Sequence, residues 1–139
     1  MENIISSIKD LPFYHNINTR WNDMDSFGHI NNAVYLSYIE DARTTLFKRW
    51  KLNSQNKSVI VASLKIDYIS QVKHPSKLII GSKISRIGNS SFDILSGIFE
   101  DKQSNPAVIS LVTCVCYDYE KATSVEIYDE IKNDYLIKN

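Results

Sequence analysis

The chain has 139 residues, 43% apolar and 23% charged, which fits one globular domain able to bury a core without metal or disulfide support. Sixteen basic residues balance sixteen acidic ones, which argues against a protein that binds nucleic acid by neutralising many phosphates. No apolar run follows a basic N-terminal segment, and none approaches the ~18 residues a membrane helix needs. The expectation is a cytoplasmic protein with no membrane insertion.

The first dozen residues read as a loosely ordered lead-in ending at Pro12. Aromatic and β-branched residues alternate from Phe13 to Trp21 and predict a strand. The run NDMDSFGHINN then gathers turn and helix-capping residues. A helix is predicted from Asn32 to Trp50, because Tyr35, Ile39, Ala42, Leu46 and Trp50 recur at the spacing of one helical face. Lys48, Arg49 and Lys51 gather near its C-terminus, where cations suit the helix dipole.

Four strands are predicted next: Ser58–Ser70, Leu78–Ile87, Phe92–Glu100 and Ala107–Tyr119. Turns at Lys73–Ser76 and Gly88–Ser90 and a loop at Asp101–Pro106 separate them. The last strand is apolar on both faces near its centre, which suits a central position. It carries both cysteines, Cys114 and Cys116. Two positions apart on a strand, their Cα atoms lie roughly 6.5–7 Å apart, at or beyond disulfide reach. With no second C-x-C pair for zinc, two buried, reduced thiols are predicted. An amphipathic tail, Ser124–Ile137, reads as a second helix. This order is α+β: antiparallel hairpins against one long helix, in a single domain. Such a helix leaves sheet edges and faces uncovered, so at least a dimer is expected.

Chemistry concentrates between Arg20 and Arg43. Asp23, Asp25, His29, Asn31 and Asn32 crowd the strand-to-helix junction, and Gly28 permits unusual backbone geometry there. The first amides of a helix lack intrahelical partners and carry partial positive charge. Such a site can polarise a carbonyl and hold the oxyanion formed on attack. A nearby carboxylate can attack the carbonyl or activate water. A thioester suits this arrangement, because its thiolate leaves without strong acid help. No G-x-S-x-G motif is present.

The run W-x-D-x-D-x-x-G-H-x-N-N-x-x-Y-x-x-Y-x-E-x-A-R, with the strand layout after it, resembles the 4-hydroxybenzoyl-CoA thioesterase-like hotdog proteins over about residues 12–135. The match is closest to their acyl-CoA thioesterase branch. The resemblance implies a five- or six-stranded sheet wrapped around one central helix, and homodimers or homotetramers with sites at the subunit interface. It also implies hydrolysis of acyl-CoA or acyl-ACP with no cofactor and no metal. The family's catalytic carboxylate maps onto Asp25, as nucleophile or general base. The amide that polarises the carbonyl maps near Asn32, and His29 and Asn31 map to pocket-lining or water-positioning roles. The G-H-x-N-N form makes 4-hydroxybenzoyl-CoA itself a poor substrate candidate.

Lys73, Lys83 and Arg86 are candidates for the CoA phosphates, since cations at a pocket mouth attract them. Asp23 reads as a structural partner of Arg20, and Glu40 with Arg43 as an ion pair on the helix. Two rivals stand beside the hydrolase: a non-catalytic acyl-CoA-binding module on the same fold, and a hotdog hydratase or dehydratase.

Overall fold

The computed structural model describes residues 5, 7 and 10–138. The chain leads with β1 (Phe13–Asn18), passes through a 3-10 turn at Trp21–Asp23 and enters α1 (Asn32–Arg49). Four long strands follow: β2 (Ser58–Tyr68), β3 (Lys77–Ile87), β4 (Ser91–Glu100) and β5 (Val108–Asp118). A two-residue β6 (Thr123–Ser124) and the helix α2 (Asp129–Lys138) close the chain. All pairings are antiparallel, in the order β1-β3-β4-β5-β2, with β6 added to β5.

The helix and the four long strands fall where their periodicity predicts them. The first strand ends three residues early. The Thr19 amide donates to the Ser76 carbonyl at 3.0 Å, and the Asp23 carboxylate accepts from the Arg20 amide at 2.9 Å. Together these bonds turn the backbone away from the ladder. The tail helix starts five residues later than its amphipathic pattern suggests. The Val125 and Ile127 amides donate instead to the Cys116 and Asn89 carbonyls, which keeps that stretch extended along the sheet.

The main core lies between α1 and one face of the sheet. Tyr35, Tyr38, Ile39, Ala42, Leu46 and Trp50 pack against residues such as Ile80, Phe92, Ile98, Val112 and Cys114. The opposite face carries a smaller cluster of Leu95, Phe99 and Ile109, covered by Ile5 and Leu11. Ile5 and Leu11 of the lead-in thus pack on the sheet, and the expectation for residues 1–4, 6, 8 and 9 lies outside the described residues. Gly97 makes that cover possible: a Cβ there would stand 2.9 Å from the Phe99 ring and 3.2 Å from Ile5 Cδ1. β5 is an interior strand whose α1-facing side is buried from Val108 to Cys116, while its other face is buried at Ile109 and half-buried from Leu111 on. β2 is an edge strand and largely exposed.

Cys114 and Cys116 are free thiols with no exposed surface. Burial pushes the Cys114 thiol up to about 12. Only the thiolate reacts, so a thiol reagent at pH 8 is expected to label neither cysteine in the native protein and both after denaturation. Fast labelling of the native chain would contradict this packing.

Candidate active site

The loop before α1 is built around Asp25. Its backbone amide donates to the His29 carbonyl at 2.7 Å. Its Oδ1 accepts from the amides of Phe27 (2.8 Å) and His29 (3.2 Å), while Oδ2 takes no part in these bonds. Gly28 sits at φ +84°, a left-handed conformation that other residues adopt only with strain. Met24 and Ile30 then pair as an isolated bridge, and the chain returns to begin the helix. Asp25 is thus both the organiser of its turn and a half-buried carboxylate with one oxygen outside that network.

Asn31 is the N-cap of α1. Its side-chain oxygen accepts from the Ala33 amide at 2.8 Å. Asn32 is the first helical residue, and its N–H has no carbonyl one turn earlier to bond. Replacing the Asn31 cap with alanine is expected to cost about 1 kcal/mol of stability, read as a lower urea midpoint. Asn31→Asp should restore most of it, and an unchanged alanine variant would show that the cap contributes nothing.

A cavity of ≈ 230 Å³ opens at this junction. Its wall is formed by Asp25, His29 and Ile30 of the loop, Asn32 and Tyr35 of α1, and Tyr68, Ile69, Ser70 and Gln71 from the end of β2. The Tyr68 hydroxyl donates to the Asn32 carbonyl at 2.9 Å, and its ring lies 5.7 Å from that of Tyr35. The Tyr35 hydroxyl in turn accepts from the Val72 amide at 3.3 Å. Burial raises the Tyr35 pKa, so its phenol stays protonated at neutral pH. Larger cavities lie elsewhere among the described residues: two, of ≈ 300 and ≈ 580 Å³, between β1 and α1, and one of ≈ 290 Å³ beside Ser58 and Asp118. The first has no carboxylate in its wall; in the second Asp41 is bonded to His15 and Asp23 to Arg20, and in the third Asp118 Oδ1 accepts from the Glu120 and Lys121 amides.

The sequence candidates divide accordingly. Asp25, His29 and Asn32 meet at one cavity. Asn31 adjoins them through the helix cap, its carbonyl group of the side chain committed to the Ala33 amide. Lys73 is brought alongside by a backbone bridge to His29. Lys83 and Arg86 are not brought there within one chain. Lys83 stands opposite Leu95 on the sheet face turned away from α1, because strand side chains alternate. The Arg86 guanidinium is held by Asp93 at 2.8 and 3.2 Å and by Ser91 at 3.0 Å. Glu40 is exposed and 3.8 Å from Arg43.

Sequence reading missed Tyr68, Ser70 and Gln71. They arrive from the far end of β2, and only the register that places Tyr68 opposite Val108 turns its ring toward α1. Nothing in the local pattern at Tyr68–Gln71 signals a site.

Residues 19–134 match the family model of the thioesterase-like superfamily. The uncharacterized protein YsmA of Bacillus subtilis is 32% identical over 126 residues, covering 89% of this chain and 85% of its own. The long-chain acyl-CoA thioesterase FadM of Escherichia coli is 23% identical, covering 84% and 91%. Among solved structures, the PA5185 protein of Pseudomonas aeruginosa superposes with a TM-score of 0.86 at 26% identity, covering 96% and 95%. The antiparallel six-stranded sheet with two helices is that of hotdog-fold thioesterases. The chain belongs to the thioesterase-like superfamily, and thioester hydrolysis is the class of reaction its relatives support.

Proposed function

We propose that this chain hydrolyses acyl-CoA thioesters to a free acid and CoA, at the cavity shared by Asp25 and the start of α1. The observation that carries the reading is the position of a half-buried carboxylate and the first helical residue on the walls of one cavity. The thioester carbonyl is polarised by the Asn32 amide and the positive end of the helix. The Asp25 carboxylate attacks the carbonyl carbon or takes a proton from the attacking water. The C–S bond breaks as the oxyanion collapses, and CoA leaves as the thiolate. If Asp25 attacks directly, water then hydrolyses the mixed anhydride and regenerates the carboxylate. His29 and Asn32 line the substrate's path, Asn31 sets the helix start, and Lys73 is the cation best placed for a CoA phosphate. The name of the FadM relative favours CoA over ACP as the carrier.

The working unit in this reading is a dimer, with the sheet curved around α1 in the hotdog manner. Among the described residues the outer edge of the eleven-residue β2 pairs with no strand, and Val61, Leu64 and Tyr68 on it and Leu36 on α1 are exposed. A second copy would cover that surface and close the mouth of the cavity. No helix among the described residues is long and apolar enough to cross a membrane, and the cytoplasm, where acyl-CoA is made and used, is the proposed location.

The test is release of free CoA from a panel running from acetyl to palmitoyl thioesters plus benzoyl and phenylacetyl thioesters, read with a thiol reagent. Turnover on part of the panel supports the reading. Tight binding without release across the panel would favour an acyl-CoA-binding module, and hydration of enoyl-CoA without thiol release would favour a hydratase.

A further inference from the structure

We propose that Asp23 is the positioning residue of this site: its buried carboxylate, gripped by Tyr38 and Arg20, holds the backbone that sets Asp25 and the Asn31 cap, without itself meeting the substrate. The first acidic residue of the D-x-D pair is 1% exposed. An isolated carboxylate at that depth is costly unless it is fully bonded. Asp23 is. Its Oδ2 accepts from the Tyr38 hydroxyl at 2.5 Å and the Arg20 amide at 2.9 Å, and its Oδ1 from Arg20 Nε and Nη2 at 3.2 and 3.0 Å. Four donors fill the acceptor capacity of a carboxylate. Burial alone would raise its pKa, but the bonds from Tyr38 and Arg20 outweigh it and hold the group below the usual range.

The carboxylate faces the cavity between β1 and α1, and Asp23 is no part of the wall around Asp25. Its reach toward the chemistry is through the main chain. The Asp23 carbonyl accepts from the Asn31 amide at 2.9 Å, which fixes the cap residue. One residue further on, Met24 pairs with Ile30, and then Asp25 pairs with His29. Asp23 therefore clamps both ends of the loop that aims Asp25: one end at Arg20, the other at Asn31. Tyr38 supplies the fixed point, since it projects from the second turn of α1 into the core.

This role presupposes the hydrolase reading, so the experiment pairs turnover with a readout that needs none. Amide hydrogen exchange by NMR and steady-state kinetics on the best acyl-CoA of the panel are measured for the wild type, Asp23→Asn and Tyr38→Phe. In Asp23→Asn an amide NH₂ confronts the Arg20 donors, and exchange at Asn31 and His29 is expected to rise about tenfold or more, the factor set by losing one hydrogen bond to a charged group. The kcat is expected to fall about 100-fold through misplacement of Asp25, with KM within about twofold because no substrate contact is lost. Tyr38→Phe should move both readouts in the same direction by less. A folded Asp23→Asn with wild-type exchange at Asn31 and wild-type kcat overturns the proposal. If Asp23→Asn does not fold, wild-type exchange at Asn31 in Tyr38→Phe overturns it. A wild type that hydrolyses nothing would end the hydrolase reading, while the exchange data would still decide whether Asp23 clamps the loop.

Discussion

Asp25→Asn is expected to lower kcat for acyl-CoA hydrolysis by about 10²–10⁴-fold, the range over which a positioned acid–base group acts. The substitution is close to isosteric, and an asparagine Oδ1 can still accept from the Phe27 and His29 amides at their present 2.8 and 3.2 Å. The turn should therefore survive, and the melting transition should stay near that of the wild type. What disappears is the negative charge and the basicity of the oxygen outside the turn. An amide oxygen neither attacks a carbonyl carbon effectively nor takes a proton from water at neutral pH. Near wild-type turnover in this variant would remove Asp25 from the chemistry and leave it as a turn former only.

The largest effect on stability is expected at Trp50. It closes α1, is almost fully buried, and lies edge-on to Phe92 with centroids 5.7 Å apart. Its indole Nε1 donates to Asp134 Oδ2 at 2.7 Å, and the same carboxylate takes two bonds of 2.8 Å from Arg49. Trp50 thus joins helix, sheet and α2. Trp50→Ala opens a cavity and removes one donor from a buried carboxylate, at an expected cost of about 3–5 kcal/mol. Small domains have only about 5–15 kcal/mol to lose, so a large fall in the urea midpoint is expected, with partial unfolding at 37 °C. The exposed Trp21 is the internal control, since a surface substitution there should shift stability by no more than about 0.5 kcal/mol. Equal effects at the two tryptophans would contradict the packing described.

The sequence made legible what depends on short-range order. The apolar spacing of Tyr35, Ile39, Ala42 and Leu46 located α1 to within a residue, and N-N before that run marked its cap. Alternation located β2 to β5, and the doubly apolar run around Cys114 identified an interior strand. The cluster of Asp25, His29 and Asn32 was legible because nearby residues on one loop share a cavity almost of necessity. Long-range pairing hid the rest. Tyr68 enters the cavity only through the β2–β5 register, and Ile5 packs where Gly97 leaves room, in one cluster with Leu11. Arg86 looked available for a phosphate because its partner Asp93 lies across a hairpin and through a bulge. Charge on a strand says nothing about face until the register is known.

The most direct test of a helix-start oxyanion site compares Asn32→Pro with Asn32→Ala. Proline is well tolerated at the first helical position. The preceding residue, Asn31, already has φ −62° and ψ 136°, the extended geometry that a following proline demands. Asn32→Pro should therefore keep the fold while deleting the one N–H assigned to the thioester oxygen. Its kcat is expected to drop about 10²–10³-fold, as for loss of an oxyanion donor, whereas Asn32→Ala, which keeps the amide, should stay within a few-fold of the wild type. Equal, near wild-type rates in the two variants would mean that the start of α1 does not carry the reaction.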